Sequence, residues 1–268
     1  MKKLFAVLAL PIFVACSTNA VTGRKQLQLF PESTLQAEAV SQYQSFLSQN
    51  KVVSQNTSRD AEMVRRVGTR LAQAITSYYA KQPNKVDLSG YKWEFNLVDN
   101  KDVNAWCMPG GKVVVYTGLL PITQNEAALA VVLGHEITHA IAQHGNERMS
   151  QVTLAQGLEV AGNIFTQNKQ QANSIFNNIF APAAQVGVLL PNSRNQETEA
   201  DKFGLIFTAM AGYNPREAIP FWERMASASS GNKPPEFLSS HPSDESRIAK
   251  IKQYMPEALS YYKPMGSK

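Results

Sequence analysis

The sequence predicts an α+β fold in which helices dominate and one small sheet lies before a central helix. Two observations carry this prediction. Helical periodicity recurs at several places along the 268 residues, whereas the β-like runs are short and fall together between residues 93 and 117. The composition, 44% hydrophobic and 18% charged, is that of an ordinary globular protein that can bury one sizeable core.

The chain begins with the features of an export signal. Two lysines precede an apolar stretch at residues 4–15, which is too short to cross a bilayer as a helix and therefore predicts a signal peptide. The run Phe-Val-Ala-Cys-Ser that ends at Ser17 resembles a bacterial lipoprotein box, in which Cys16 is lipidated and becomes the mature N-terminus. Phe13 stands where that motif usually has Leu, so an ordinary secretory signal is the alternative. Ser17 resembles the signal that directs such proteins to the outer membrane.

Residues 19–31 are polar and rich in turn formers, which predicts a tether between Cys16 and the folded body. We predict a signal peptide with its lipidation site over residues 1–16, a tether over residues 17–31 and a single domain over residues 32–268. Within that domain, periodicity predicts helices over 33–47 and 59–79 and strands over 93–98, 103–106 and 112–117. A tight turn is expected at Met108-Pro109-Gly110-Gly111.

The central helix is the best-defined element of the sequence. Thr123 and Glu126 have the spacing of a capping box, in which a hydroxyl and a glutamate three residues later satisfy the first amides of a helix. From there an apolar helix is expected to run to about His144, where Gly145 supplies the stop. Further helices are expected within residues 150–190 with breaks near Asn168 and Pro182, over residues 197–211, and as short segments of the tail around Pro234-Pro235.

An H-E-x-x-H motif, His135-Glu136-Ile137-Thr138-His139, lies inside this helix. Residues four apart in a helix lie about 40° apart around the axis and about 6 Å along it, so both imidazoles can reach one metal ion. A catalytic zinc has three protein ligands and an open position for water. Glu136 lies beside the histidines, close enough to take a proton from that water. The motif therefore predicts one Zn2+ per chain, and the alternative is two buried histidines beside a solvated glutamate.

A third zinc ligand is expected in residues 194–201, which offer three carboxylates on a predicted helix. Glu197 and Asp201 are four residues apart and share a face, whereas Glu199 points about 160° away from Glu197. We therefore expect Glu197 to bind the metal, Asp201 to hold a ligand histidine in place, and Glu199 to be dispensable. Without a zinc motif upstream, a solvated acidic face would be the default interpretation of this segment.

These motifs together resemble a known peptidase family. The H-E-x-x-H motif, an E-x-x-A-D motif that starts at Glu197 and a His-Pro pair at His241 resemble the family of HtpX, the CAAX prenyl endopeptidases and periplasmic lipoproteins such as LoiP. Matching stretches at residues 19–24, 103–111 and 211–215 extend the resemblance over nearly the whole mature chain.

The resemblance implies a zincin-type, gluzincin-like metallopeptidase domain. It implies zinc ligands at His135, His139 and Glu197 and a general base at Glu136. The sequence lacks the membrane spans of the HtpX and prenyl-endopeptidase members, so it looks like the soluble or lipid-tethered branch.

His241 has two possible roles. A histidine before proline is usually a surface turn residue, but the resemblance implies that His241 approaches the zinc. It would either donate to the oxyanion of the reaction or ligate zinc in a closed, resting state. The first role is favoured, because a catalytic zinc normally keeps its fourth position for water. Arg247 is expected to orient this loop, to bind a carboxylate or to lie on the surface.

Val113, Val114 and Val115 lie in a β-rich run just before the zinc-motif helix. Zinc peptidases of this kind commonly bind an extended substrate as an extra strand on a sheet edge, which makes this run a possible substrate strand. The alternative is an interior strand without a free edge.

Two residues near the motif are expected to lie outside the zinc site. His144, nine residues after His135, should be on nearly the opposite face of the helix. Cys107 is expected to be a small packed hydrophobic residue, with a redox or metal-sensitive role as the alternative. No disulfide within the chain is expected, because Cys107 is the one cysteine left after processing.

The sequence therefore predicts a zinc-dependent endopeptidase that acts on polypeptide substrates. The resemblance implies cleavage of misfolded or partly unfolded cell-envelope proteins, at the periplasmic face of the outer membrane through an N-terminal lipid anchor or, alternatively, free in the periplasm. The net charge of +5 comes from scattered residues, which disfavours nucleic acid as a partner. Two alternatives remain open: a chaperone-like or binding lipoprotein with a closed, structural zinc site, and a purely structural lipoprotein. The sequence identifies no particular envelope protein as a partner.

Overall fold

The computed structural model of the chain describes residues 16–82, 86–155, 169–180, 193–228, 235–241, 245–264 and 266. Residues 1–15 of the signal peptide predicted over residues 1–16 lie outside these ranges, as do the expected breaks near Asn168, Pro182 and Pro234. Among the helices of the described ranges, none combines the length and the apolar character that a membrane crossing requires.

Helices make up most of the described chain, and the strands are few and short. Within the described ranges the strands are β1 (Cys16–Thr18), β2 (Lys25–Leu27), β3 (Glu94–Val98), β4 (Ala105–Met108) and β5 (Lys112–Tyr116). The helices are α1 (Glu32–Gln49), α2 (Arg59–Tyr79), α3 (Leu120–Thr123), α4 (Glu126–Ile141), α5 (His144–Ala155), α6 (Lys169–Phe180), α7 (Ser193–Met210), α8 (Ala218–Ala228), α9 (Glu236–Ser240) and α10 (Glu245–Ser260). The predicted α+β class is confirmed.

The main sheet has the strand order β3-β5-β4, with β3 parallel and β4 antiparallel to β5. The expectation that Val113, Val114 and Val115 form an edge for substrate is therefore wrong, because both sides of β5 are already paired. All three valines are fully buried, and an unbroken apolar run is typical of a strand that is covered on both faces. The interior strand is the alternative that the structure supports.

The two outer strands of this sheet differ in how they are covered. Residues 51–53 run along the outer side of β3, where Val53 N donates to Leu97 O at 2.8 Å. Within the described residues no strand pairs with the outer side of β4. Strand β4 also packs against α4, so the open edge of the sheet lies beside the zinc-motif helix.

Helix α4 is the centre of the molecule, and every residue from 128 to 141 is buried. Its cap differs from the predicted one: Asn125, not Thr123, accepts the hydrogen bond from Ala128 N, at 2.8 Å. The Thr123 hydroxyl instead donates to Leu120 O in the preceding turn, and the left-handed Gln124 separates that turn from α4. The predicted capping box is therefore wrong.

The end of α4 also differs from the expectation. The helix stops at Ile141, and Gln143 has a left-handed φ of 52°, after which α5 begins at His144. Gly145 lies inside α5 and is not the stop. The chain therefore turns three residues earlier than predicted, and this turn changes the direction in which His144 points.

Helices α4 and α7 cross in backbone contact at two glycines. A Cβ atom on Gly204 would lie 2.8 Å from His135 N, and one on Gly134 would lie 2.7 Å from Gly204 O. Real Cβ atoms essentially never approach other atoms so closely, so only glycine fits at both positions. This contact brings the carboxylates of α7 next to the histidines of α4.

The segment predicted as a tether packs against the folded body. Strands β1 and β2 pair antiparallel, with Cys16 opposite Leu27. The side-chain amides of Asn19 and Gln26 donate to Ala142 O at 2.8 and 3.0 Å. The carbonyl at the end of α4 needs hydrogen-bond partners, and this hairpin supplies two of them. We call residues 16–27 the N-terminal hairpin.

Candidate active site

Four donor groups from three parts of the chain converge on one point. His135 and His139 come from α4, Glu197 comes from α7, and His241 follows α9. The Nε2 atom of His135 lies 3.0 Å from His139 Nε2 and 3.1 Å from His241 Nδ1. The carboxylate of Glu197 lies 3.3 Å from His139 Nε2 and 2.9 Å from His241 Nδ1. One donor atom from each residue lies within 4.8 Å of all the others.

This arrangement fits a metal ion. The three histidines are between 3% and 6% exposed, and buried lone pairs at such short distances repel one another unless a cation or a proton lies between them. Imidazole nitrogens with one carboxylate form a donor set that zinc prefers. In a tetrahedral zinc site neighbouring donors lie about 3.3 Å apart, which is close to the distances found here. The sequence predicted three of these residues as ligands and left the role of His241 open.

Glu136 lies beside the donors but is not one of them. Its side chain is buried, and its Oε1 atom lies 3.3 Å from His241 Nε2. That contact does not have the geometry of a hydrogen bond, and Oε1 has no hydrogen-bond partner among the described residues. Burial raises the pKa of Glu136. A buried carboxylate oxygen without a hydrogen bond is costly, so this oxygen is available to accept one.

Asp201 contacts the His135 ring on the side opposite its donor nitrogen. Its Oδ1 atom lies 3.0 Å from Nδ1 of His135, on the side of the ring away from the donor nitrogen. Arg247 donates to both carboxylate oxygens of Asp201 at 2.7 and 2.8 Å and to His241 O at 3.2 Å. Its guanidinium lies over the Trp222 ring, 3.6 Å from the centroid. Burial alone would raise the pKa of Asp201, but the charge of Arg247 and the hydrogen bond with His135 outweigh burial and lower it.

A second group of side chains lies behind His139. The Nδ1 atoms of His139 and His144 are 2.9 Å apart, and Nε2 of His144 lies 3.0 Å from Glu199 Oε2. Arg24 Nε donates to the other oxygen of Glu199 at 2.7 Å. The expectation that His144 lies on the opposite face is therefore wrong, because the chain turns between α4 and α5.

As the sequence predicted, Glu199 is not one of the donors. Its contact with His144 connects it to the ligand His139, so its loss is expected to affect the site. Sequence reasoning missed this group. No local pattern marks the turn after Ile141, and Arg24 lies 175 positions before Glu199.

Cys107 is half-buried and packs against the main core. Burial raises the pKa of its thiol well above the ordinary value, which keeps the sulfur protonated and unreactive. Its Sγ atom makes a weak contact with Met108 O at 3.6 Å. These properties support the prediction of a small packed hydrophobic residue.

Comparisons with known proteins bear on this site. The family model of peptidase family M48 matches residues 58–255. Over 173 residues the chain is 36% identical to the mitochondrial metalloendopeptidase OMA1 of Schizosaccharomyces pombe, covering 64% of this chain and 49% of the relative. It is 27% identical over 256 residues to the metalloendopeptidase OMA1 of Homo sapiens, covering 92% of this chain and 47% of the relative.

Bacterial proteins are also similar. Over 162 residues the chain is 32% identical to the beta-barrel assembly-enhancing protease of Yersinia pestis, covering 59% of this chain and 33% of the relative. The chain spans about half the length of the OMA1 proteins that it matches, and a smaller share of the bacterial protease.

Proposed function

This chain belongs to peptidase family M48, and on that premise we propose that it is a zinc-dependent endopeptidase. The observation that carries the proposal is the convergence of His135, His139 and Glu197 beside Glu136, whose Oε1 atom accepts no hydrogen bond from the described residues. Nε2 of each histidine and the carboxylate of Glu197 would hold the ion. When bound, zinc supplies Lewis acidity, which lets water lose a proton near neutral pH and polarises a peptide carbonyl.

Glu136 acts as the general base in this proposal. It accepts a proton from the attacking water and passes that proton to the nitrogen of the leaving amine. The position of the base on the same helix as two ligands fixes its distance from the reacting atoms.

His241 stands where a fourth ligand would be. Its Nδ1 atom faces His135 Nε2 and Glu197, and its carbonyl is held by Arg247. This geometry supports the closed role more than the oxyanion role that the sequence favoured. For water and substrate to reach the ion, His241 must turn away from the donors.

Substrate would bind along β4 rather than β5. An extended peptide needs a sheet edge with free backbone groups, and the outer side of β4 offers that edge within the described residues. Because β4 packs against α4, a peptide added there would run along the helix that carries Glu136. Backbone pairing of this kind accepts many sequences, which suits polypeptide substrates in general.

We propose that the substrates are misfolded or partly unfolded proteins of the cell envelope. The export signal and the lipoprotein box at Cys16 support this compartment, as do relatives named for enhancing β-barrel assembly. Lipidation at Cys16 would hold the chain at the periplasmic face of the outer membrane, and the alternative is a chain free in the periplasm. Cys16 is exposed at the start of β1, so a lipid attached there can extend away from the protein.

A second candidate is a chaperone-like or binding lipoprotein with a closed, structural zinc. The presence of His241 among the donors favours this alternative, because structural zinc sites have four protein ligands. The two candidates differ in whether the parent chain cleaves unfolded protein.

The test is Glu136→Gln in the chain that lacks residues 1–16, with zinc content and casein cleavage measured on the same preparation. We expect zinc to stay near one per chain and cleavage to fall by about 10² to 10⁴, because a base and not a ligand is lost. The matched control is Glu257→Gln, which neutralises an exposed carboxylate that pairs with Lys202 and should leave both values unchanged. Cleavage at the parent rate by Glu136→Gln would refute the mechanism, and a parent that binds zinc without cleaving favours the binding protein.

A further inference from the structure

We propose that the N-terminal hairpin supports the metal centre. Its residue Arg24 positions the ligand His139 through Glu199 and His144. This inference rests on the proposed zinc site and goes beyond it. It assigns a role to a segment that lies outside the residues 58–255 matched by the family model.

The proton positions in this group follow from its chemistry. The carboxylate of Glu199 can only accept a hydrogen bond, so Nε2 of His144 carries a proton and donates it at 3.0 Å. A neutral His144 then has a free lone pair on Nδ1, which accepts from the Nδ1–H of His139 at 2.9 Å. This arrangement leaves the lone pair of His139 on Nε2, the atom that faces the metal site. The group therefore sets both the orientation and the tautomer of a ligand.

Arg24 fixes the carboxylate at the far end of this group. Its guanidinium donates to Glu147 at 2.7 Å with each terminal nitrogen and to Glu199 at 2.7 Å through Nε. Glu147 is almost fully buried, at 1% exposure. Without the guanidinium, Glu199 would lose the donors that hold its carboxylate toward His144. A displaced Glu199 would no longer fix the position of the His144 ring.

The two ligand histidines are thus held in equivalent ways from opposite ends of the chain. His135 is held by Asp201 and Arg247, and Arg247 belongs to α10 near the C-terminus. His139 is held through His144 and Glu199 by Arg24, which belongs to the hairpin near the N-terminus. Each ligand therefore depends on a carboxylate that an arginine from a distant segment holds in place.

The docking of the hairpin determines where Arg24 lies. Asn19 accepts hydrogen bonds from the backbone of Val21 and Thr22 and donates to Ala142 O. The backbone of Asn19 also pairs with that of Arg24 at 2.8 Å. These contacts fasten the turn that carries Arg24 to the end of α4, two residues before His144. Displacing the hairpin would therefore withdraw Arg24 from Glu199.

The experiment compares Arg24→Ala, Arg24→Lys, Glu199→Gln and the double variant of Arg24→Ala with Glu199→Gln in the mature chain. Zinc release to the chromogenic chelator 4-(2-pyridylazo)resorcinol is followed for each. We expect Arg24→Ala to release zinc about 10-fold faster than the parent, with Arg24→Lys between the two. The double variant should release zinc no faster than Glu199→Gln, because both changes break the same connection. The control Arg66→Ala removes an exposed arginine that pairs with Glu62 and Glu126 and should leave release unchanged.

Thermal melting of the zinc-loaded and zinc-free chains separates this role from simple fastening of the hairpin. We expect Arg24→Ala to lose part of the stabilisation that zinc gives to the parent. An equal loss with and without zinc, an unchanged release rate, or effects that multiply in the double variant would each overturn the inference. If the parent chain binds no zinc, both the proposed function and the role of Arg24 are refuted. If the parent binds zinc, the variants test the role of Arg24 separately from the proposed function.

Discussion

The contact between α4 and α7 offers a sharp test of how the metal site is built. Gly204→Ala would add a Cβ atom 2.8 Å from His135 N and 3.0 Å from His135 Cα. Ordinary van der Waals contact begins at 3.4 Å, so the two helices must separate by about 0.6 Å. The obstructing atoms belong to the backbone of α4, which cannot turn aside as a flexible side chain can.

The size of the effect follows from two opposing contributions. Forcing a methyl group into a packed contact costs about 1 to 3 kcal/mol, whereas replacing glycine by alanine inside a helix contributes about 1 kcal/mol of stability. We therefore expect a net loss of about 1 kcal/mol, or about 2 to 4 °C in the melting temperature. The separation of about 0.6 Å is also larger than the roughly 0.2 Å by which zinc–ligand distances vary. Zinc affinity should therefore fall as well.

Melting of the zinc-free chain and zinc competition with a chelator measure these two effects. The matched control is Gly68→Ala, whose Cβ atom would meet the Phe95 ring at 2.2 Å in a contact between α2 and β3. That change should lower stability and leave zinc affinity alone, because it moves no donor. If Gly204→Ala binds zinc as tightly as the parent, or is more stable than the parent, the helix contact does not set the site geometry.

Three further outcomes are expected. His241→Ala should raise casein cleavage and speed zinc exchange if the histidine closes the site, whereas a loss of about 10² to 10³ in turnover with unchanged zinc would assign it to the oxyanion. Burial raises the pKa of Glu32 from 4.5 to about 7, against a hydrogen bond from Gln36 that lowers it. Because this folded-state pKa is above the ordinary value, the stabilisation is full below pH 4.5 and is lost as the pH rises through 7. Glu32→Gln should remove that loss and raise the free energy of unfolding at pH 8 by about 1 kcal/mol, measured by urea unfolding at pH 5 and pH 8. Cys16→Ala should abolish incorporation of radiolabelled fatty acid, and label retained in that variant would contradict the lipidation site.

Much of the fold and most of the donor set could be predicted from local patterns. The predicted range of α2, residues 59–79, agrees with the structure because apolar residues recur on one helical face along its whole length. The family predicted from the motifs is confirmed by the M48 match. The H-E-x-x-H spacing and the four-residue spacing of Glu197 and Asp201 place these side chains together for the same reason, since a helix converts spacing directly into a shared face.

The features that the sequence did not predict are those that depend on distant contacts. Three consecutive valines are compatible with an edge strand or a central one, and only the arrival of β3 and β4 decides between them. The turn after Ile141 uses Gln143 in a left-handed conformation that glycine adopts more readily, so Gly145 gave a misleading stop signal. Arg24 lies in a polar stretch whose composition alone suggests a linker.

The positions of the supporting residues along the chain also determine when the site can form. His135 is 106 positions before His241 and 112 before Arg247, and Arg24 is 175 before Glu199. A chain that is made or threaded from its N-terminus presents both metal-binding histidines well before these later residues arrive. Contacts of such long separation form only after the intervening chain has collapsed, so the group of donors is assembled late in folding. An unfinished copy therefore lacks Glu197, His241 and the residues that hold His135 in place.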